Sequence, residues 1–583
     1  MSMASPRLLA QIARLHYRYK DEAAVARKAG EEPRDALQDI SFDLREGEIM
    51  GLIGPDGAGK TTLLRLMAGL LQPSSGEITL LGLTPIRNHK QLSRRVGYMP
   101  QRFSLYEDLT VQENMRLCAR LRSVPREQAL KQEADLLEAA GLEPFRSRLA
   151  GKLSGGMKQK LALISTLLGD PPLLLLDEPG VGVDPLSRRE LWALVNRARS
   201  EGRGILWSTA YLDEAARCDR VCILHQGQLR YLGAPDALLA PLRGRVFTME
   251  FPAAERVVLL RKLQNLPSVR DTMLEGSRLR FLLRDGATPT DLSLPYAIHP
   301  AEPNFEEAFI GLMGDQHAPV SQTMAGLEAA AEPTEEIVIR TEGLTCRFGT
   351  FVATDHLDLA VRRGEIFGLL GANGAGKTTA FRMMCGLLRP SSGRAEILGI
   401  DLARDARRAR AHLGYMAQKF SLYGNLTVLQ NLRFFASVYG LEHAEAEARI
   451  KELARRYGLE HWLKRNAEAL PLGLKQRLSM ACAVLHHPDF LFLDEPTSGV
   501  DPFARRAFWQ EINAMAAQGV TIIVTTHFMD EAQYLHRLVI MNHGRVIAQG
   551  PPEGLKAAAA TPGCPEPTME EAFIHYIEKG GEA

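Results

Sequence analysis

Apolar and polar positions run through the same sequence of patterns twice along this chain. Alternation over 38–44, and again over 354–361, predicts a strand with one buried face. Unbroken apolar runs follow at 49–53 and 366–370, as expected of strands covered on both sides. Each run leads into a glycine-rich loop and then a helical pattern. Polar segments of helical period occupy 110–149 and 427–469. A second buried strand ends in acid, Leu173-Leu174-Leu175-Leu176-Asp177-Glu178 in the first case and Phe490-Leu491-Phe492-Leu493-Asp494-Glu495 in the other, and a third spans 204–208 and 520–525. Buried strands alternating with helices predict an α/β fold around a parallel sheet, formed twice.

The repetition keeps register. Lys60 and Lys377, Gln101 and Gln418, Leu153 and Leu470, Asp177 and Asp494, and Asp184 and Asp501 are each separated by 317 positions, so a whole domain is duplicated. Register is lost only after the third strand. Strand-like runs around a helical one (255–263) fill 243–283 and predict a small α+β accessory domain. It ends at Pro303-Asn304-Phe305-Glu306-Glu307-Ala308-Phe309-Ile310, an ending that returns at Pro567 to Ile574 with the offset reduced to 264. The expected organisation is a first nucleotide-binding domain at 1–240, the accessory domain at 241–314, a linker at 315–336, a second nucleotide-binding domain at 337–552 and a C-terminal tail at 553–583.

The glycine loops carry the first chemistry. Gly54, Gly57 and Gly59 precede Lys60, Thr61 and Thr62, and Gly371, Gly374 and Gly376 precede Lys377, Thr378 and Thr379. Between a strand and a helix, such a loop turns successive backbone N–H groups toward phosphate, with the lysine reaching the β- and γ-phosphates and the threonine hydroxyl on Mg²⁺. Asp177 and Asp494, at strand ends, are the expected partners of that ion, together with Thr61 and Thr378. Glu178 and Glu495 can polarise an attacking water, while Gln101 and Gln418 can sense the metal and the water. Ser154, Gly155 and Gly156 open a further helix, where N–H groups and the helix dipole favour an anion. No phosphate loop lies near them in sequence.

Together these features resemble the ABC-transporter ATPases, twice over and across nearly the whole chain. The segment 153–160 is similar to that family's signature sequence. Gly97-Tyr98-Met99-Pro100-Gln101 with Leu109-Thr110-Val111-Gln112-Glu113-Asn114, and Asp177-Glu178-Pro179 followed by Gly182-Val183-Asp184-Pro185, resemble the tandem ATPase subunits of bacterial ABC-2 multidrug exporters. The resemblance implies two P-loop NTPase domains in tandem, each with a helical subdomain, and ATP and Mg²⁺ as ligands. It implies ABC-2 transmembrane permease subunits as partners, and a peripheral place on the cytoplasmic face of the bacterial inner membrane. It also assigns Tyr19 and Phe348 to the aromatic position that stacks on adenine, although a packing role serves either residue equally well.

Two departures from the family pattern matter. Its switch histidine, which contacts the γ-phosphate, is present as His527 but replaced by Ala210 in the first repeat. Pro471-Leu472 stands where the first repeat has Ser154-Gly155, removing a hydroxyl and an N–H and adding a side chain. In the family's head-to-tail sandwich, Ala210 and Pro471 fall in one composite site with Lys60. Lys377, Asp494, Glu495 and His527 then share the other with Ser154, Gly155 and Gly156. The expectation is one site that turns over and one that holds nucleotide, with independent drift as the bland rival.

Composition narrows the function classes. Seventy basic residues against 69 acidic give a net charge of +1, without the excess expected of a nucleic-acid binder. Seven scattered cysteines suit a reducing compartment. The N-terminal residues 1–10 lack a leader pattern, and no apolar run reaches the ~18–20 residues that span a bilayer, so membrane association is expected only through partners. The exporter subunits' docking surfaces are expected at 102–109 and 419–426, although Phe103 and Phe420 there serve as well in a core. A soluble, ribosome-associated tandem ATPase is the alternative; a short non-basic linker and the lack of a cysteine cluster count against it. A tandem sugar-importer ATPase would be expected to carry a damaged phosphate loop, and both loops here are whole.

Overall fold

The computed structural model describes residues 6–19, 35–101, 105–251, 255–275, 278–292, 294–313, 333–418 and 421–580. Two compact units emerge, one made of 1–241, 304–316 and 501–503, the other of 242–303, 317–500 and 504–583. Most of the expected linker, and Phe103 and Phe420, lie outside the described residues.

In the first unit the strands Val96–Met99, Leu173–Asp177, Gly204–Thr209, Ile49–Ile53 and Arg220–His225 lie side by side in that order, all parallel. The second unit repeats the order with Leu413–Met416, Phe490–Asp494, Thr521–Thr526, Ile366–Gly371 and Arg537–Asn542. Every residue of Ile49–Ile53 and Leu173–Asp177 is buried, because helices cover both faces of a parallel sheet. The crossover order puts the glycine loop between the ends of two neighbouring strands. The carboxyl end of the strand ending at Asp177 therefore stands one strand away from the loop that holds Lys60, where ligands bind in open α/β sheets. An antiparallel layer (Leu8–Tyr17, Leu37–Arg45 and Ser75–Leu80; Ile337–Phe348, Phe351–Arg362 and Ser392–Ile397) flanks each core.

The polar segments of helical period form the helical subdomains. Val111–Leu121 begins at a capping box of Thr110 and Glu113, and Val428–Val438 at the matching box of Thr427 and Gln430, satisfying N–H groups that would otherwise lack partners. Just inside, buried Asn114 donates to the carbonyls of Tyr106, Leu109 and Thr110 while its Oδ1 accepts from the Tyr106 N–H. Asn431 does the same for Tyr423, Leu426 and Thr427. One amide thus fixes the loop before each subdomain.

Residues 246–300 form a four-stranded antiparallel sheet with one helix, Arg256–Gln264. The fourth strand, Ile298–Pro300, extends this fold beyond the 243–283 stretch read from sequence. The helix Phe305–Met313, placed in the accessory stretch by sequence, packs instead against Leu212–Ala215 and Pro235–Leu239 of the first unit. The described part of the expected C-terminal tail, 553–580, is packed against the rest of the second unit. It includes the helices Pro552–Ala558 and Met569–Gly580, and Leu555, Met569 and Phe573 sit in the second unit's core. Burial of those apolar side chains holds the segment down.

Candidate active site

The glycine loops have the geometry their composition predicts. Gly59 precedes the helix Lys60–Met67 with φ 105°, and a Cβ there would stand 2.6 Å from Leu37 Cδ2 and 2.7 Å from the Ala36 carbonyl, so only glycine fits. Lys60 Nζ folds back to donate to the Gly54 carbonyl at 2.6 Å and lies 3.6 Å from Glu178. Lys377 Nζ donates to Gly371 at 2.6 Å and lies 3.9 Å from Glu495. Gly57 and Gly374 take the same left-handed turn, and Gly376 precedes Lys377 as Gly59 precedes Lys60. Thr62 hydrogen-bonds Tyr19 Oη at 3.0 Å, which brings that ring to the phosphate-loop helix. Thr379 is half-buried in its helix, and Phe348 is 54% exposed at the end of its strand, open for stacking.

Thr61 Oγ1 donates to Asp177 Oδ1 at 3.2 Å and Thr378 Oγ1 to Asp494 Oδ1 at 3.4 Å, so each hydroxyl and its strand-end carboxylate converge. Asp177 Oδ2 is buried without a partner among the described residues. A lone carboxylate oxygen beside a threonine hydroxyl and a phosphate loop fits a divalent cation held through water. Burial pushes both aspartates above the ordinary carboxylate range, against the Thr61 and Ser208 hydrogen bonds in one repeat and those of Thr525 and Thr378 in the other.

Both candidate water-polarising glutamates have left-handed backbones, with φ 51° at Glu178 and 47° at Glu495, a strain that clusters at functional sites. Gln101 Nε2 donates to Glu178 at 2.6 Å and Gln418 Nε2 to Glu495 at 2.7 Å. There the repeats part. His527 Nδ1 stands 3.1 Å from Glu495 Oε2, as a charge contact rather than an aligned hydrogen bond, and buried Nε2 has no partner among the described residues. Burial raises the Glu495 carboxyl, but His527, Lys377 and Gln418 overcome it and hold the group down at about 2. The first repeat has the methyl group of Ala210 in that position.

The helix starts differ as well. Ser154 caps Gly155–Leu167, its hydroxyl accepting from the Met157 N–H at 3.3 Å; Pro471 starts Leu472–Ala483 with no side-chain cap. A Cβ on Gly156 would lie 2.7 Å from Ser187 Oγ and 2.8 Å from its Cβ, so close helix packing requires this glycine whatever it does for a nucleotide. At Gly473 the nearest atom is Ala504 Cβ, at 3.5 Å.

Sequence reasoning missed one pair of supports. Glu531, buried, accepts from Thr497 Oγ1 and from Thr526 Oγ1, linking the loop after Glu495 to the turn after His527. In the first repeat Glu214 accepts from Thr209 Oγ1 at 2.6 Å and Trp207 Nε1 at 2.9 Å, but Gly180 replaces the threonine and Glu214 Oε1 has no partner among the described residues. The 317-residue offset of the two glutamates was the available signal.

Two phosphate loops, each beside a strand-end aspartate and a glutamate-glutamine pair, define a tandem P-loop nucleotide hydrolase. The ABC transporter family profile matches 37–181 and 354–498, and the chain belongs to that family; it is an ATPase that binds ATP. It is 52% identical over 549 residues to "Probable multidrug ABC transporter ATP-binding protein YbhF" of Escherichia coli (strain K12), covering 93% of this chain and 95% of that protein. Over 219 residues it is 40% identical to "Nod factor export ATP-binding protein I" of Ralstonia nicotianae, 37% of this chain and 68% of that one. A structure described as "Model of ribosome-bound archaeal Pelota and ABCE1" superposes with a TM-score of 0.61 at 20% identity, over 93% of this chain and 79% of that one, a likeness of fold alone.

Proposed function

We propose that this chain is the ATP-hydrolysing subunit of an ABC-2 type multidrug exporter, working on separate transmembrane permease subunits at the cytoplasmic face of the bacterial inner membrane. The relative from E. coli carries the words multidrug and ATP-binding over nearly its whole length. Among the described residues no helix is long and apolar enough to cross a membrane, so contact with one would come through partners. The loops fixed by Asn114 and Asn431 expose Tyr106 and Tyr423, 58% and 47% exposed, with exposed Phe434 against Tyr423; these are the surfaces we assign to the permease.

The observation that carries the reading is the inequality of the two catalytic sets. In the second repeat, Glu495 would hold the attacking water with Gln418, His527 Nε2 would donate to the γ-phosphate, and Lys377 would reach the β- and γ-oxygens. The head-to-tail sandwich would bring Ser154 and the N–H groups of its helix over that same γ-phosphate. Thr378 and Asp494, and Thr61 and Asp177, would hold Mg²⁺, which neutralises charge across the β- and γ-oxygens. The site of Lys60, with Ala210 and Pro471, keeps nucleotide binding and loses two donors to the γ-phosphate; a hydrogen bond to a charged group contributes about 1.5–3 kcal/mol. ATP then closes the seam and hydrolysis at one site opens it.

Co-purification tests the reading. Tagged chain extracted with detergent should carry apolar, multi-spanning polypeptides in stoichiometric amount. Ribosomal particles in their place would turn the assignment to the soluble alternative.

A further inference from the structure

Among the described residues the module 246–300 has no counterpart after the second repeat, and the second unit includes it. Its own core, Met249, Leu259, Leu260, Leu263, Leu279 and Phe281 among others, is continuous with Ala514 and Ala517 from the helix Pro502–Ala517. The first repeat's helix has Arg197 and Ser200 at those two positions, and Arg197 is 58% exposed there. Only the second-repeat helix therefore has a small apolar face that another core can close on.

A directed contact fixes that packing. Arg506 donates from both terminal nitrogens to the two carboxylate oxygens of Asp271, each at 2.6 Å, and also to the Thr272 carbonyl. The side chains are only 11% and 18% exposed, so water competes weakly for the pair. Strand Val269–Glu275 shifts register between Val269 and Asp271, a bulge of the kind that re-aims a side chain, and the same strand lies against the turn Met529–Tyr534.

Both elements gripped by the module lead straight to catalytic groups. The loop from Glu495 enters the helix Pro502–Ala517, and the turn Met529–Tyr534 starts two residues after His527. Glu531 links that loop and that turn from within, through Thr497 and Thr526. We propose that the 246–300 module braces the second repeat's hydrolytic residues from outside, with Asp271 and Arg506 as positioning residues that hold Glu495 and His527 at their working separation. The proposal rests on the reading that the second repeat performs hydrolysis.

The test is a double-mutant cycle on full-length protein, with Asp271→Asn, Arg506→Gln and the pair, and Glu495→Gln measured alongside. Asp271→Asn keeps the size of the side chain, Arg506→Gln shortens it but leaves it polar, and the double leaves no unpaired charge. Each single should lower kcat about three- to tenfold with KM for ATP unchanged, and the double should fall no further than the weaker single, since both remove one contact. Single variants with wild-type kcat, a KM that rises as kcat falls, or multiplicative losses in the double would each overturn the brace. If Glu495→Gln leaves turnover intact, the assignment of hydrolysis fails first. If Glu495→Gln is inactive while Asp271→Asn and Arg506→Gln turn over normally, only the brace fails.

Discussion

His527 Nδ1 lies 3.1 Å from Glu495 Oε2, while Ala210, 317 residues upstream, offers Glu178 only a methyl group. The phosphate loops, strand-end aspartates and glutamines are otherwise matched between the repeats to within a few tenths of an ångström. Around the two glutamates the repeats therefore differ chiefly at this one position, where a buried imidazole in one is a methyl group in the other.

Glu495→Gln should lower steady-state ATPase activity by about 10²-fold or more, the usual contribution of a positioned base. Glu178→Gln should retain most of it. Phosphate release by the two purified variants measures this, and equal losses would refute the inequality.

Under the proposed head-to-tail pairing, Ala210→His alone should leave Glu495→Gln protein inactive, because that pairing still sets Pro471 and Leu472 against the first phosphate loop. Adding Pro471→Ser and Leu472→Gly should restore measurable turnover. Serine at the helix start contributes about 1 kcal/mol as a cap, and glycine in the first turn costs about as much, so stability should change little. Activity that needs changes in both repeats would support the head-to-tail pairing; none in the full combination would count against it.

Gly156→Ala should destabilise the protein by about 1–3 kcal/mol, because its methyl would meet Ser187 at 2.7 Å. Gly473→Ala, with 3.5 Å of room, should be neutral or stabilising by up to ~1 kcal/mol through helix propensity. Urea unfolding of both variants distinguishes packing from any nucleotide role.

Burial and the Asp213 charge push the Glu214 carboxyl from 4.5 up to about 7, against Arg188 and the Thr209 and Trp207 hydrogen bonds. The folded state keeps a proton in that window that the unfolded chain has released. Stability should therefore fall as pH rises from about 4.5 to 7. Glu214→Gln, which stays neutral, should flatten that dependence; thermal unfolding at several pH values measures the slope.

The sequence by itself determined what is local or repeated. Lys60, Asp177 and Glu178 were legible because a phosphate nest, a buried strand and an acid at its end are set by short stretches of chain. The constant 317-residue offset then exposed Ala210 and Pro471 as departures. What pairs residues far apart was decided by tertiary structure alone. Tyr19 meets Thr62, Glu531 joins Thr497 to Thr526, and Asp271 grips Arg506 across 235 positions, contacts that no periodicity encodes. The final helix, Met569–Gly580, fell in the expected tail; it is held because Phe573 finds the second unit's core, against the strands Arg537–Asn542 and Arg545–Gly550. Burial of that kind depends on which surfaces meet, and only the folded chain brings them together.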